Sequence, residues 1–193
     1  LMQLRDLADI KPGFTFREAI EPDEHGSTYV VQAKNVLSGQ NVDSSKNLLK
    51  TSFRPSRTTI RVRKGDIILV TRGVGAGTFR TAVFNLDLDE VVPSSSVFVI
   101  RVRQEKILPE YLSIFMNSPA GQWQISKIVS GSNVQTISRA GLENMDIPIP
   151  SLSDQRKLID LSNNIRDQLK IIFRTNRIKQ DIINASINKI TNT

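Results

Sequence analysis

The sequence predicts an α+β protein: a mixed, largely β domain with short helices over residues 1–150, then a long C-terminal helix of coiled-coil type over 151–193. Three observations carry that reading. Short β-branched and aromatic runs recur between turn-forming residues through much of the chain. Brief amphipathic segments begin near Pro109 and Ser118. The final stretch then holds an apolar stripe at three- and four-residue steps, with neither Gly nor Pro to interrupt it.

Taken in order, Met2 to Ile10 carries Leu4, Leu7, Ala8 and Ile10 and reads as a short helix or turn-rich lead-in, stopped by Lys11-Pro12-Gly13. Acidic loop material leads to Thr28 through Ala33, whose β-branched content predicts a strand. Asn35 to Gln40 reads as a turn, and Asp43 to Asn47 opens a loop. Thr59-Ile60-Arg61-Val62-Arg63 alternates polar and apolar, which predicts a strand with Arg61 and Arg63 on one face and Ile60 and Val62 in the core. After the turn Lys64-Gly65-Asp66, the run Ile67-Ile68-Leu69-Val70 is expected to be a strand buried on both faces.

Gly73, Gly75 and Gly77 resemble a dinucleotide loop only superficially. The third glycine of G-x-G-x-x-G falls on Thr78, and Thr78 to Phe84 are strand formers where that motif must open a helix. A hairpin connection bracketed by Arg72 and Arg80 is the better account. Val91-Val92-Pro93-Ser94 interrupts the next strand region, which resumes from Ser96 to Arg103. Pro109 to Asn117 forms a helix with Pro in its first turn. A second short helix starts at Ser118, Val129 to Asn133 is a glycine-centred loop, and Ser138 caps a last short helix through Asn144.

Ile147-Pro148-Ile149-Pro150 is barred from helix because each Pro holds its predecessor extended, and Ser153 then offers an oxygen to the first free helix amides. Asp154 adds a favourable first-turn charge. Leu158, Leu161, Ile165, Leu169, Ile172, Asn176, Ile183, Ile187 and Ile190 make one stripe, with Asn176 its one polar interruption. About 38 helical residues reach roughly 57 Å, whereas a compact domain built from the rest is only about 40 Å across. The helix overhangs, so its stripe is expected to be covered by a partner helix from another chain or from further sequence. The competing reading breaks it near Arg174 to Arg177 and folds it back, without the Gly or Pro that marks such a turn.

With no Cys and a single His, the chain excludes disulfides, thiolate nucleophiles, zinc clusters and any Cys-His or Ser-His mechanism not built on His25. His25 lies in a polar loop and reads as an exposed bystander. No apolar run approaches the roughly 18 to 20 residues of a membrane span, and the N-terminus lacks a signal-peptide plan. A soluble, cytoplasmic protein is expected.

The net charge of +7 is concentrated in one window. Lys50, Arg54, Arg57, Arg61, Arg63, Lys64, Arg72 and Arg80 stand against one acid, Asp66, and this stretch accounts for the whole excess. Such a window is an electrostatic footprint for phosphate, and its Arg-rich make-up suits bidentate phosphate and guanine contacts. A solvated basic face without a ligand is the alternative. Ser132 and Asn133 are further candidates for DNA contact, weighed against a purely structural turn.

These pieces, in this order, resemble the specificity subunits of type I restriction-modification enzymes. The residues that carry the resemblance are Lys64 through Val70, Gly73 to Gly77, Tyr111-Leu112 through Asn117-Ser118-Pro119-Ala120-Gly121, and Ser130-Gly131-Ser132. It is strongest at Ile147-Pro148-Ile149-Pro150-Ser151-Leu152-Ser153-Asp154-Gln155. The resemblance implies one target-recognition domain that reads double-stranded DNA and one helix that acts as spacer and docking surface for modification and restriction subunits. Family members usually carry two such units with antiparallel helices. This chain therefore looks like a half subunit, completed by homodimerisation through the helix or by a second half in cis. S-adenosylmethionine chemistry would belong to the modification subunits, and no cofactor, metal or catalytic residue is expected of this chain. Two other classes compete: a nuclease or methyltransferase using acids such as Asp66, Asp87 and Glu90, and a coiled-coil adaptor whose basic face meets an acidic protein.

Overall fold

The computed structural model describes residues 1–37, 39–75 and 77–191. Ser38 and Ala76, which the sequence reading assigns to turns, and residues 192 and 193 lie outside the described residues. The chain runs β1 (Met2–Gln3), α1 (Leu4–Leu7), β2 (Ala8–Pro12), β3 (Thr28–Val31), β4 (Leu49–Thr51), β5 (Ile67–Val70), β6 (Arg72–Gly73), β7 (Thr81–Val83), β8 (Val91–Pro93) and β9 (Val97–Val102). It continues through α2 (Pro109–Asn117), α3 (Pro119–Ile128), β10 (Val129–Ser130), β11 (Gln135–Ile137), α4 (Arg139–Glu143), β12 (Asp146–Ile147) and α5 (Leu152–Thr191).

The middle layer is an antiparallel sheet in the order β2-β9-β5-β7. Successive strand residues point to opposite faces, and β5 uses both. Ile67 and Leu69 pack with Leu4, Leu7, Leu112, Met116 and Leu142 of the helical layer. Ile68 and Val70 pack with Val31, Val36, Phe84 and Val91 on the other side. There the sheet β4-β3-β8 lies, its β3 and β8 parallel. The expectation that β5 is buried on both faces is met, since all of its residues are buried. Fully burying each such side chain contributes about 1.5 to 3 kcal/mol, which makes β5 the anchor of the domain.

Several expectations are revised. Val91–Pro93, read as an interruption, is strand β8, whose partner β3 lies some sixty residues earlier in the chain and gives no local signal. Lys11 and Pro12 do not stop the lead-in; they complete β2, an edge strand where a Pro lacking an amide proton is tolerated. The strand from Thr28 ends at Val31, and residues 33–35 form a 3-10 turn. Thr59 to Arg63 is not a strand, although the Val62 amide bonds to Val91 O at 2.8 Å and its side chain is buried.

The long helix is continuous from Leu152 to Thr191, so the fold-back near Arg174 to Arg177 does not occur. Its cap is Ser151, not Ser153: Ser151 Oγ accepts from the Asp154 amide at 3.2 Å and donates to the Asp154 carboxylate at 2.7 Å. The helix thus begins two residues earlier than expected, at Leu152, and Ser153 falls inside the first turn. The domain grips only the start of α5. Gln155 is fully buried, its Nε2 donating to Lys106 O and Pro150 O and its Oε1 accepting from the Leu108 amide. Ile159 packs on the core and Arg166 Nε donates to Gly39 O at 2.7 Å. Every residue from Asp167 to Thr191 is exposed. No helix among the described residues is long and apolar enough to cross a membrane.

Candidate nucleic-acid interface

The basic window divides into cations that build the surface and cations that the surface presents. Arg61 turns inward. Its Nη1 donates to Ser56 O at 2.6 Å and Thr59 O at 2.7 Å, and its Nε pairs with Glu90 at 3.2 Å. It thereby folds the loop that holds Arg54 and Arg57 outward. Arg80 also turns inward, donating through Nε to Val36 O and through Nη2 to Ala33 O at 3.3 Å. Lys50 is half-buried, its Nζ on Glu24 O at 2.9 Å and 5.8 Å from the Tyr29 ring centre. The expectation that Arg61 and Arg63 share an outward face, and that Arg72 and Arg80 flank the glycine turn alike, is corrected by these contacts. Buried carbonyls need donors, and the long Arg side chains supply them.

Asp66 organises the next piece. Its carboxylate receives a two-pronged bond from Arg101, Nε and Nη2 each at 2.7 Å, and accepts the Arg63 amide at 2.8 Å. Arg101 Nη2 also reaches Arg61 O at 3.0 Å. The hydrogen bond from Asp66 raises the Arg101 pKa, outweighing the lowering by burial. This pair pins the backbone of the turn that presents Arg63 and Lys64. Arg101 lies outside the basic window, and no local pattern announces its pairing with an acid 35 residues away.

Arg54, Arg57, Arg63, Lys64 and Arg72 are exposed, and among the described residues no hydrogen bond or ion pair holds their side chains. Lys64 and Arg72 lie at opposite ends of β5, on the order of 20 Å apart by strand rise. Beyond Arg72, β6 pairs with β11 and β11 with β10. That small sheet brings the glycine turn beside the exposed turn carrying Ser132 and Asn133. The other acids weighed as catalysts are dispersed in role: Asp66 holds Arg101, Glu90 holds Arg61, and Asp87 is exposed. Among the described residues no group of three or more His, Asp or Glu is placed to hold a metal ion. His25 is an exposed loop residue, as its surroundings suggested.

The helix stripe lies open. Leu158, Leu161, Ile165, Leu169, Ile172, Ile183 and Ile187 are each between 43% and 58% exposed, and Asn176 is exposed among them.

A family model described as the type I restriction modification DNA specificity domain matches residues 1–189. No curated protein matches the sequence. Among solved structures, the HsdS subunit from Thermoanaerobacter tengcongensis aligns at TM-score 0.62 and 20% identity, over 90% of this chain and 39% of that one. The type I restriction-modification S subunit from M. genitalium aligns at TM-score 0.55 and 19% identity, over 88% and 39%. A structure described as the basis of complex assembly and conformational transition of the type I R-M system aligns at TM-score 0.63 and 19% identity, over 90% and 39%. The chain thus shares their fold and spans 39% of the length of the chains it matches.

Proposed function

This chain belongs to the type I restriction-modification DNA specificity domain family, and from that membership we propose that it reads one half of a bipartite duplex DNA site and docks to modification subunits, catalysing nothing itself. The observation that carries the reading is that one family model runs over both the domain and the long helix. The exposed Arg54, Arg57, Arg63 and Lys64 are the phosphate-facing cations in this account and Arg72 is a further DNA contact, while Lys50, Arg61 and Arg80 shape the surface beneath them. Residues 1–150 act as the recognition domain and 151–193 as spacer. The reading assigns no cofactor or metal to this chain, leaves methyl transfer and cleavage to partner subunits, and places the protein in the cytoplasm.

The open stripe from Leu158 to Ile187 supports pairing of α5 with a second long helix, from another copy or from a second half in cis. An antiparallel homodimer would set Ile172 and Asn176 near a two-fold axis, where Asn side chains can hydrogen-bond and fix the register.

Selection from randomised duplexes tests the function. Enrichment of a short defined sequence at fixed salt is expected, and the chain alone is expected to transfer no methyl group from S-adenosylmethionine and to cut nothing with Mg²⁺. Binding without sequence preference would favour the adaptor, and turnover by the lone chain would favour the nuclease or methyltransferase.

A further inference from the structure

The small sheet β6-β11-β10 carries a row of side chains that phosphate binding does not use. Thr136 stands opposite Ser130 on one side and opposite Arg72 on the other. Register partners share a face, so Ser130, Thr136 and Arg72 form one line across three strands. All three are exposed. The alternate residues face the domain: Ile137 is only 5% exposed and Val129 packs on the core.

We propose that the β10–β11 ribbon, with β6 beside it, enters the major groove and reads base edges. The proposal rests on the reading of this chain as a DNA specificity domain, and names its sequence-reading element. A two-stranded ribbon fits the major groove, where guanidinium bonds guanine in a two-pronged way, hydroxyls meet any base, and a threonine methyl contacts thymine. Charge favours DNA as the occupant. Residues 67–86 and 111–142, which supply this sheet and its neighbours, contain no acid and carry Arg72, Arg80, Lys127 and Arg139. The aromatic hollow of Phe14, Phe16 and Phe53 is lined instead by Glu18 and Glu21 against the single cation Arg17, so its lining carries no positive excess to draw a polyanion. The ribbon's tip is built for close turning: Gly131 has φ +108°, and a Cβ there would fall 2.3 Å from Val134 O. That turn carries Ser132 and Asn133 outward.

The division of labour is then physical. Arg54, Arg57, Arg63 and Lys64 hold phosphate, which positions the protein without sequence information, while the ribbon specifies.

The test uses the full chain and its selected duplex. Thr136→Val with Ser130→Ala, and separately Arg72→Gln, should each lower the ratio of specific to random-duplex affinity by about tenfold or more, or change the preferred base. An unchanged ratio in folded variants overturns the ribbon assignment and leaves the specificity-domain reading standing. Absence of any sequence preference in the unmodified chain overturns both. Because the chain has no Cys, Asn133→Cys supplies a unique thiol that needs no further change. It should couple to a thiol tethered in the major groove of the selected site much faster than Glu24→Cys does; equal rates overturn the proposal.

Discussion

The domain and the long helix put the same aliphatic side chains to opposite uses. Ile67, Ile68, Leu69 and Ile100 are fully buried, whereas Leu169, Ile172, Ile183 and Ile187 are 47%, 52%, 50% and 52% exposed. The domain closes its own core from two sides of one sheet, so its stability is local to the chain. The helix beyond Arg166 leaves its apolar stripe to water. An isolated helix draws little stability from propensity and most from packing of its apolar face. The difference teaches that the two parts answer to different conditions: the domain to its own packing and, on the proposed pairing, the helix to the concentration of its partner.

That contrast can be broken most severely from the domain side. Leu69→Ala should cost about 2 to 5 kcal/mol of domain stability in chemical denaturation, while Leu169→Ala should cost the domain transition almost nothing. Asp66→Ala should come next, at about 2 to 4 kcal/mol. Removing one partner of a buried pair costs about 3 to 5, and here Arg101 keeps 25% of its side chain in solvent. Equal losses from Leu69 and Leu169 would erase the distinction.

From the helix side, Leu169→Asp with Ile172→Asp should leave the domain transition unmoved but yield monomers in sedimentation. These should bind a two-half-site duplex about a hundredfold or more weakly, since linking two binding units raises affinity without new contacts. A smaller effect belongs to the surface cations. Four phosphate contacts give log K against log salt a slope of about -3.6, and Arg54→Ala, Arg57→Ala and Lys64→Ala together should reduce it to about -0.9. A slope that does not change would remove those residues from the interface.

The smallest effect is at the junction of the two parts. The Asp154 carboxyl is held below its ordinary pKa of 3.8, first by the Ser151 hydroxyl and then by Lys157. A depressed pKa means that the contribution is complete above the ordinary value and is lost as pH falls through the folded one. Helicity of Asp154→Asn and the unmodified chain should therefore differ near neutrality and converge in acid.

Patterns confined to one stretch were legible. The four apolar residues of β5, the Ser138 cap on Gly141, the Pro at the start of α2 and the helix stripe each follow from period, cap chemistry or backbone restriction within a few positions. The rest depends on pairing across sequence distance. Nothing near Arg72 announces Thr136 as its neighbour, nothing near Arg61 announces Glu90, and nothing in the alternation at residues 59–63 reveals that its strand partners are missing. Charge composition located a basic surface, but could not sort the arginines that present it from those that brace it. Gln155 looked like one more polar helix residue, yet it is the buried clamp between domain and helix.

The central claim, a DNA-reading domain whose unpaired helix sets it against a second such domain, is tested most directly by the symmetry of the selected site. Selection with the unmodified chain at micromolar concentration should return two inverted copies of one short sequence at a fixed gap, and Leu169→Asp with Ile172→Asp should return the single copy. A selected pool with no common sequence, or paired copies that persist in the substituted chain, would contradict it.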